Sequence, residues 1–211
     1  MANADAPSHL ARACKLTSAE LNECLGSSKT YTPEKSPDYT INTVAYHIDD
    51  LPANLRNFVF GLVESNMMEL YMKSKNGWCR EDKEEEMQDV QSRYLIAFHD
   101  DVPVGMIHFQ FLEEDTMTDR DAEVAYCYEI QVIPECQRKG IGAYLIGLLE
   151  TIGRAAKMEK VMLTVFKANK SAIRFYLEQM KYQYDEISPC VSLTRGRASR
   201  FDYEILSKSL T

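Results

Sequence analysis

Two groups of residues could carry chemistry, and they follow one another closely. Glu129 interrupts the apolar run Ala125-Tyr126-Cys127-Tyr128-Glu129-Ile130-Gln131-Val132. A carboxylate inside such a run is costly to bury unless it is paired or put to use, and one use is as a general base. The second group is Gln137-Arg138-Lys139-Gly140-Ile141-Gly142, which leads into the helix-like stretch Ala143 to Ala156. A strand, a glycine turn and a helix start leave backbone N–H groups without intrahelical partners. Together with the helix dipole they form a site for an anion such as a pyrophosphate. Gly140 and Gly142 allow close backbone approach, and Arg138 and Lys139 add positive charge. The glycine spacing is neither that of the P-loop nor that of the dinucleotide fold. Plainer readings exist for both groups: a tight turn before a helix also selects glycine, and a strand glutamate can simply bond a neighbouring hydroxyl.

Elements that position these residues can be read from periodicity. Thr17-Ser18-Ala19-Glu20 has capping-box spacing and predicts a short helix to Leu25. A Ser/Pro-rich connector, Gly26 to Asp38, precedes a strand over Thr40 to His47, and residues 1–15 read as frayed or weakly helical. A helix from near Pro52 carries Leu55, Phe58, Val59, Leu62, Val63, Met67, Leu70 and Tyr71 at helical spacing. Strands follow at Tyr94 to Phe98, Val104 to Leu112 and Glu123 to Ile133, with a turn at His99 to Pro103. After the glycine turn and its helix come a strand (Lys160 to Phe166), a helix (Asn169 to Met180) and strands at Tyr182 to Asp185 and Phe201 to Leu206. The expected fold is α/β: a mixed, mostly antiparallel central sheet flanked by helices, with an N-terminal helical extension. The domains read as an extension over 1–39 and a catalytic domain over 40–211. The glycine turn lies at the carboxyl end of a central strand, where ligands sit in open α/β sheets. On an unbroken strand, side chains alternate, which puts Tyr126, Tyr128, Ile130 and Val132 on one face and Cys127, Glu129 and Gln131 on the other.

With 211 residues, 45% hydrophobic and 27% charged, the chain has the composition of one globular domain. No run is long and apolar enough to cross a bilayer. Asp5 and His9 precede any apolar run, so no secretory signal is read. The six cysteines show no metal spacing and are expected to be free thiols, which points to cytosol or nucleus. A net charge of −8 argues against direct binding of nucleic acid and suits a basic peptide. The acid is concentrated in Glu81 to Asp89, which reads as a solvated helix face, and in Glu113 to Glu123, a loop before the chemistry-bearing strand. The connector Ser188 to Arg200, with Arg195-Gly196-Arg197, reads as a mobile loop or as a rim tethered to that acidic loop.

The glycine turn resembles the acetyl-coenzyme A pyrophosphate loop of the Gcn5-related N-acetyltransferase (GNAT) superfamily. Tyr126-Cys127-Tyr128-Glu129, Arg138 to Gly142, Lys160 to Lys167 and Tyr203-Glu204-Ile205-Leu206-Ser207 together resemble the N-alpha-acetyltransferase D (NatD) family. The similarity runs from about Asn66 to Ser207, with Met67, Tyr71, Gly77-Trp78, Glu85-Glu86-Met87 and Tyr94 to Ala97 in register. The resemblance implies acetyl transfer from acetyl-CoA, without a metal, to the free α-amine of histone four and histone two-A, which begin Ser-Gly-Arg-Gly. It implies a catalytic Glu129 assisted by Tyr128, and a peptide site lined by Tyr71, Tyr128, Thr164 and Tyr203. It further implies cofactor contacts from Ile130, Gln131, Val132, Arg138, Lys139, Gly140, Ile141, Gly142, Ala143 and Asn169. Related acetyltransferases also place a tyrosine near the sulfur, where this chain has Tyr176; an amphipathic helix would equally bury it. The expected partner is a histone tail, met by a monomer without an auxiliary subunit, in cytoplasm and nucleus, with no membrane and no nucleic acid. One departure is Asn76 where the family often has Trp. A second is a longer acidic loop, which leaves Glu113, Glu114 and Asp115 as candidates for a substrate contact.

The chemistry is consistent with this. An α-amine has a pKa of about 7.7–8.0 against about 10.4 for lysine, so one carboxylate, acting directly or through water, suffices as base. Two other readings remain open: an acetyltransferase for lysine ε-amines or small amines, and a catalytically silent acetyl-CoA-binding module.

Overall fold

The computed structural model describes residues 8–33 and 39–211. The expected frayed start at 1–7 and residues 34–38 of the connector lie outside them. The capping box is made as expected: Thr17 accepts from the Glu20 N–H and the Glu20 carboxylate bonds the Thr17 N–H. It opens α2 (Ser18–Leu25), which follows the short α1 (His9–Ala13). Inside the connector lies a strand that the sequence did not suggest, β1 (Thr30–Tyr31), paired to β2 (Ile41–His47). Then come α3 (Ala53–Met72), α4 (Arg80–Met87), β3 (Arg93–His99), β4 (Val102–Glu114) and β5 (Ala122–Val132). The glycine turn leads to α5 (Ile141–Ala155) and β6 (Lys160–Phe166). The chain closes with α6 (Lys170–Arg174), β7 (Gln183–Tyr184), α7 (Pro189–Ser192), α8 (Arg195–Ala198) and β8 (Tyr203–Ser209).

The eight strands form one sheet in the order β1-β2-β3-β4-β5-β6-β8-β7. Every pairing is antiparallel except β5 with β6. Helices cover both faces. On one face α5 presents Ile141, Leu145, Leu148, Leu149 and Ile152 at helical spacing, packed with Ala13, Leu21 and Leu25 of the N-terminal helices. On the other, Leu55, Val59, Leu62 and Val63 of α3 and Met87 of α4 pack on Tyr94, Ile96 and Met106. The sheet alternates accordingly: Leu95, Ile107 and Phe109 face α5, while Tyr94, Ile96 and Met106 face α3.

Two irregularities build the functional cleft. The parallel ladder between β5 and β6 stops at Cys127 opposite Leu163, and past that point the strands part. In addition, Phe109 pairs with Cys127 and His108 with Glu129, which leaves Tyr128 as the extra residue of a β-bulge. The expected alternation along β5 is therefore corrected. Cys127 and Ile130 both pack on the α5 side, whereas Tyr128 and Glu129 both turn toward α3 and α4. Strict alternation assumes an unbroken strand, and one added residue resets it.

Two further expectations are corrected. Residues 189–198 hold two short helices in place of a loop, and Glu204 accepts from the Ser188 hydroxyl, the Cys190 N–H and Lys167 to anchor them. No ion pair links this connector to the acidic loop among the described residues; Arg120 of that loop instead bridges Glu159. The helix after β6 also widens, with the turn Phe175–Gln179 wound as a π-helix.

Candidate active site

A cavity of about 830 Å³ occupies the split between β5 and β6, walled by Tyr126 to Val132 on one strand and Leu163 to Phe166 on the other. Its two ends differ in character. Toward α5 it meets Arg138, Gly140, Ile141, Gly142 and Ala143. Toward α3 and α4 it meets Tyr71, Lys83, Glu86, Tyr128 and Tyr203.

At the first end, α5 begins at Ile141 with Gly140 as its N-cap, and no side chain caps its free N–H groups. A helix start without a cap needs another acceptor. Gly140 has φ +85°, and Arg138 takes φ +62°. A left-handed non-glycine residue costs about 1–2 kcal/mol, so the turn is held by its surroundings. Lys139 does not line the cavity; its ammonium lies 4.3 Å from the ring centre of Tyr39. Asn169 lines the cavity while capping α6, its amide oxygen accepting from the Ala172 N–H at 3.1 Å. Tyr176 is buried in the wall on this side, stacked edgewise against Phe175, and burial holds its hydroxyl well above the usual tyrosine value.

At the second end Glu129 is 4% exposed. Its carboxylate accepts from the Tyr71 hydroxyl at 2.9 Å, Lys83 Nζ at 3.1 Å and Gln131 Nε2 at 2.9 Å. Gln131 is fixed in turn by Asn66 of α3 at 3.0 Å, so its side chain serves the carboxylate and not the α5 end. Burial raises the Tyr71 hydroxyl's pKa, with the Glu129 charge adding to it, so Tyr71 stays protonated as a donor. Burial alone would lower that of the Lys83 ammonium, but the negative charges of Glu129 and Glu86 outweigh it and hold the group above its ordinary value. Lys83 also bonds Glu86 at 2.7 Å, whose carboxyl is raised chiefly by burial. The run Glu81 to Asp89 is thus only partly the solvated face expected of it. Lys83 and Met87, four residues apart on one side of α4, are buried, and that spacing was the available signal.

Aromatic rings frame the carboxylate. Tyr71 meets Phe166 edge-on at 5.0 Å and Trp78 at 5.5 Å. Tyr128 stacks on the buried His108 at 5.1 Å, which stacks on Tyr94 at 5.0 Å. Tyr203 and Asn76 line the same end, and the Asp202 carboxylate accepts from the Lys75 N–H at 2.7 Å, joining the loop after α3 to the start of β8. Thr164 is exposed, and its hydroxyl lies 2.6 Å from that of Tyr126. None of residues 113–123 lines the cavity, but the Glu114 charge acts on both Tyr126 and Tyr128. Among the described residues no group of His, Cys, Asp and Glu could hold a metal ion.

A sheet opened between two parallel strands, with an uncapped helix start at one end and a buried carboxylate at the other, has the layout of a group transferase: one end holds an anionic donor, the other a nucleophile. The model of the acetyltransferase (GNAT) family matches residues 64–182, and the chain belongs to that family. Solved structures agree in fold. The PaiA N-acetyltransferase of Thermoplasma acidophilum, in complex with coenzyme A, is 18% identical with a TM-score of 0.54, over 80% of this chain and 98% of that one. NAA60 of Arabidopsis thaliana, in complex with a bisubstrate analogue, is 13% identical with a TM-score of 0.56, over 80% and 98%. Ard1 of Thermoplasma volcanium is 13% identical with a TM-score of 0.52, over 81% and 98%.

Proposed function

We propose that this acetyltransferase moves the acetyl group of acetyl-CoA to the N-terminal α-amine of peptides beginning Ser-Gly-Arg-Gly, the start of histone four and histone two-A, as the NatD family does. The observation that carries the reading is the position of Glu129, buried under Tyr71 at the end of the split opposite the uncapped start of α5.

The residues present suit acetyl-CoA. The N–H groups at the start of α5 are donors for a pyrophosphate, and Gly142 leaves room for it, since a Cβ there would meet only Phe175 at 3.7 Å and Ile130 at 4.0 Å. Bound acetyl-CoA supplies an activated thioester, whose thiol leaves readily. The PaiA relative binds coenzyme A on the same fold, which supports the reading.

On the acceptor side, Glu129 takes a proton from the amine directly or through one water. Tyr71, Lys83 and Gln131 fix its two oxygens, so it approaches the amine in one orientation. Backbone N–H groups of Ile130 and Val132, on the edge of β5 that β6 no longer pairs, are the donors available to a carbonyl oxygen gaining charge. Tyr71, Tyr128 and Tyr203 form a slot that suits a glycine at the second substrate position. Thr164, paired with Tyr126, offers the substrate serine a hydroxyl partner. For the substrate arginine, Glu114 is the acid of the 113–123 loop whose charge acts on Tyr128 of the slot and on its neighbour Tyr126.

The test is mass spectrometry of a Ser-Gly-Arg-Gly peptide, its N-blocked form, an internal-lysine control and a Met-Leu peptide, each with enzyme and acetyl-CoA. The proposal expects acetyl on the first alone. Modification of the blocked or lysine peptide would assign a lysine acetyltransferase, and equal acetylation of Met-Leu would remove the histone specificity.

A further inference from the structure

The turn that offers its N–H groups at the start of α5 is held from outside, by the segment that precedes β2. Arg138 and Gly140 both have positive φ, and a conformation of that kind persists only where neighbours fix it. The neighbour on one side is Tyr31. Its hydroxyl donates to the Lys139 carbonyl at 3.1 Å. Its ring stacks on Tyr144 of α5, centroids 4.8 Å apart and planes 16° from parallel. Its backbone is fixed in β1, opposite Ile41 of β2. On the other side stands Tyr39, whose ring carries the Lys139 ammonium and whose hydroxyl lies 2.7 Å from Cys136 Sγ, just before the turn. The fit is close: a Cβ on residue 140 would come within 2.3 Å of the Tyr31 hydroxyl. Glycine at 140 is therefore required twice, by its φ and by Tyr31.

We infer that Tyr31 is a positioning residue for acetyl-CoA. It touches no part of the cavity; it holds the Lys139 carbonyl so that the N–H groups following it stay aimed at the pyrophosphate. A binding loop held in its bound shape loses less freedom on binding, so the strand β1 contributes to cofactor affinity without contacting the cofactor. Tyr31, Tyr144 and Lys139 are side chain, platform and target of one clamp. The inference rests on the reading of this turn as the acetyl-CoA site.

Tyr31→Phe removes the hydroxyl and keeps the stacked ring, so the fold is expected to survive. Two quantities separate positioning from general damage: the Kd of acetyl-CoA by calorimetry, and kcat/KM with acetyl-pantetheine, which has the thioester but no pyrophosphate. Tyr31→Phe should raise the Kd of acetyl-CoA about three- to tenfold, the range of one net hydrogen bond. It should leave kcat/KM with acetyl-pantetheine and the KM of the peptide as in wild type. An unchanged Kd, or an equal loss with both acetyl donors, overturns the inference. Failure of the wild-type protein to bind acetyl-CoA would instead remove the acetyl-CoA reading, and this inference with it.

Discussion

Glu129 shares its oxygens among Tyr71, Lys83 and Gln131, and only Lys83 among these brings a full charge. Lys83 also separates Glu129 from Glu86. Lys83→Met would leave two carboxylates facing each other in a largely buried pocket, an uncompensated charge that costs about 3–5 kcal/mol. Urea unfolding should register that loss, and kcat should fall along with it because the carboxylate is no longer fixed. Undiminished stability would mean that solvent already neutralises the pair. The two residues differed in how legible they were. A lone acid within Ala125 to Val132 is conspicuous, whereas Lys83 is embedded in Arg-Glu-Asp-Lys-Glu-Glu-Glu and resembles any solvated helix. Its partner lies 46 residues away, and local periodicity carries no information about such a pairing. Gln131 was legible as a site residue, and alternation already placed it on the face of Glu129; the Asn66 amide that fixes it comes from α3, 65 residues away in sequence.

Among the elements, the start of α5 lends itself to a clean separation of fold from function. A negative side chain in the first turn of a helix favours the helix dipole, and a Cβ at Gly142 meets nothing closer than 3.7 Å. Gly142→Asp should therefore keep or slightly raise thermal stability while weakening acetyl-CoA binding by at least about tenfold, equivalent to about 1.4 kcal/mol. Calorimetry and a melting curve on one sample check both halves; unchanged affinity would remove the turn from the binding site. Helices α2, α3 and α5 and strands β2 to β6 were readable from capping and periodicity. The two-residue β1 was not, since its reason to be a strand lies in Ile41 and Asn42 across the sheet. Nor was the bulge at Tyr128, which depends on β4 opposite.

At the scale of the molecule, the stack Tyr94–His108–Tyr128 runs across β3, β4 and β5 on the α3 side of the sheet. His108 is fully buried, bonded through Nε2 to Ser92 at 2.8 Å. Burial, with the nearby Lys83 charge, lowers its pKa to about 3. A histidine of ordinary pKa, about 6.5, binds a proton in the unfolded chain well before it can in the folded one. Stability contributed by neutral His108 is thus complete above about pH 6.5 and lost as pH falls toward 3. The lowered carboxyls of Glu20, Glu159 and Glu204 act in the same direction only below their own ordinary range, and the raised Glu86 and Glu114 act against it. Between pH 6.5 and about 4.5, the melting temperature of wild type should fall more steeply than that of His108→Phe. Parallel curves would mean that His108 finds a way to be charged in place. Sheet order was the least legible feature at this scale, because antiparallel neighbours are chosen by which faces bury one another, and the acidic composition of the chain says nothing of that.

The central claim is that Glu129 removes the proton from an α-amine at the open split of the sheet. Its most direct test is kcat against pH for wild type and Glu129→Gln, with the Ser-Gly-Arg-Gly peptide and saturating acetyl-CoA. Glutamine keeps the shape and loses the base, so at pH 7 the variant should be slower by about 10²–10⁴-fold. The gap should narrow as pH rises past the amine's own value of about 8, where the amine needs no base. Equal rates at pH 7, with cofactor and peptide both bound, would contradict the account.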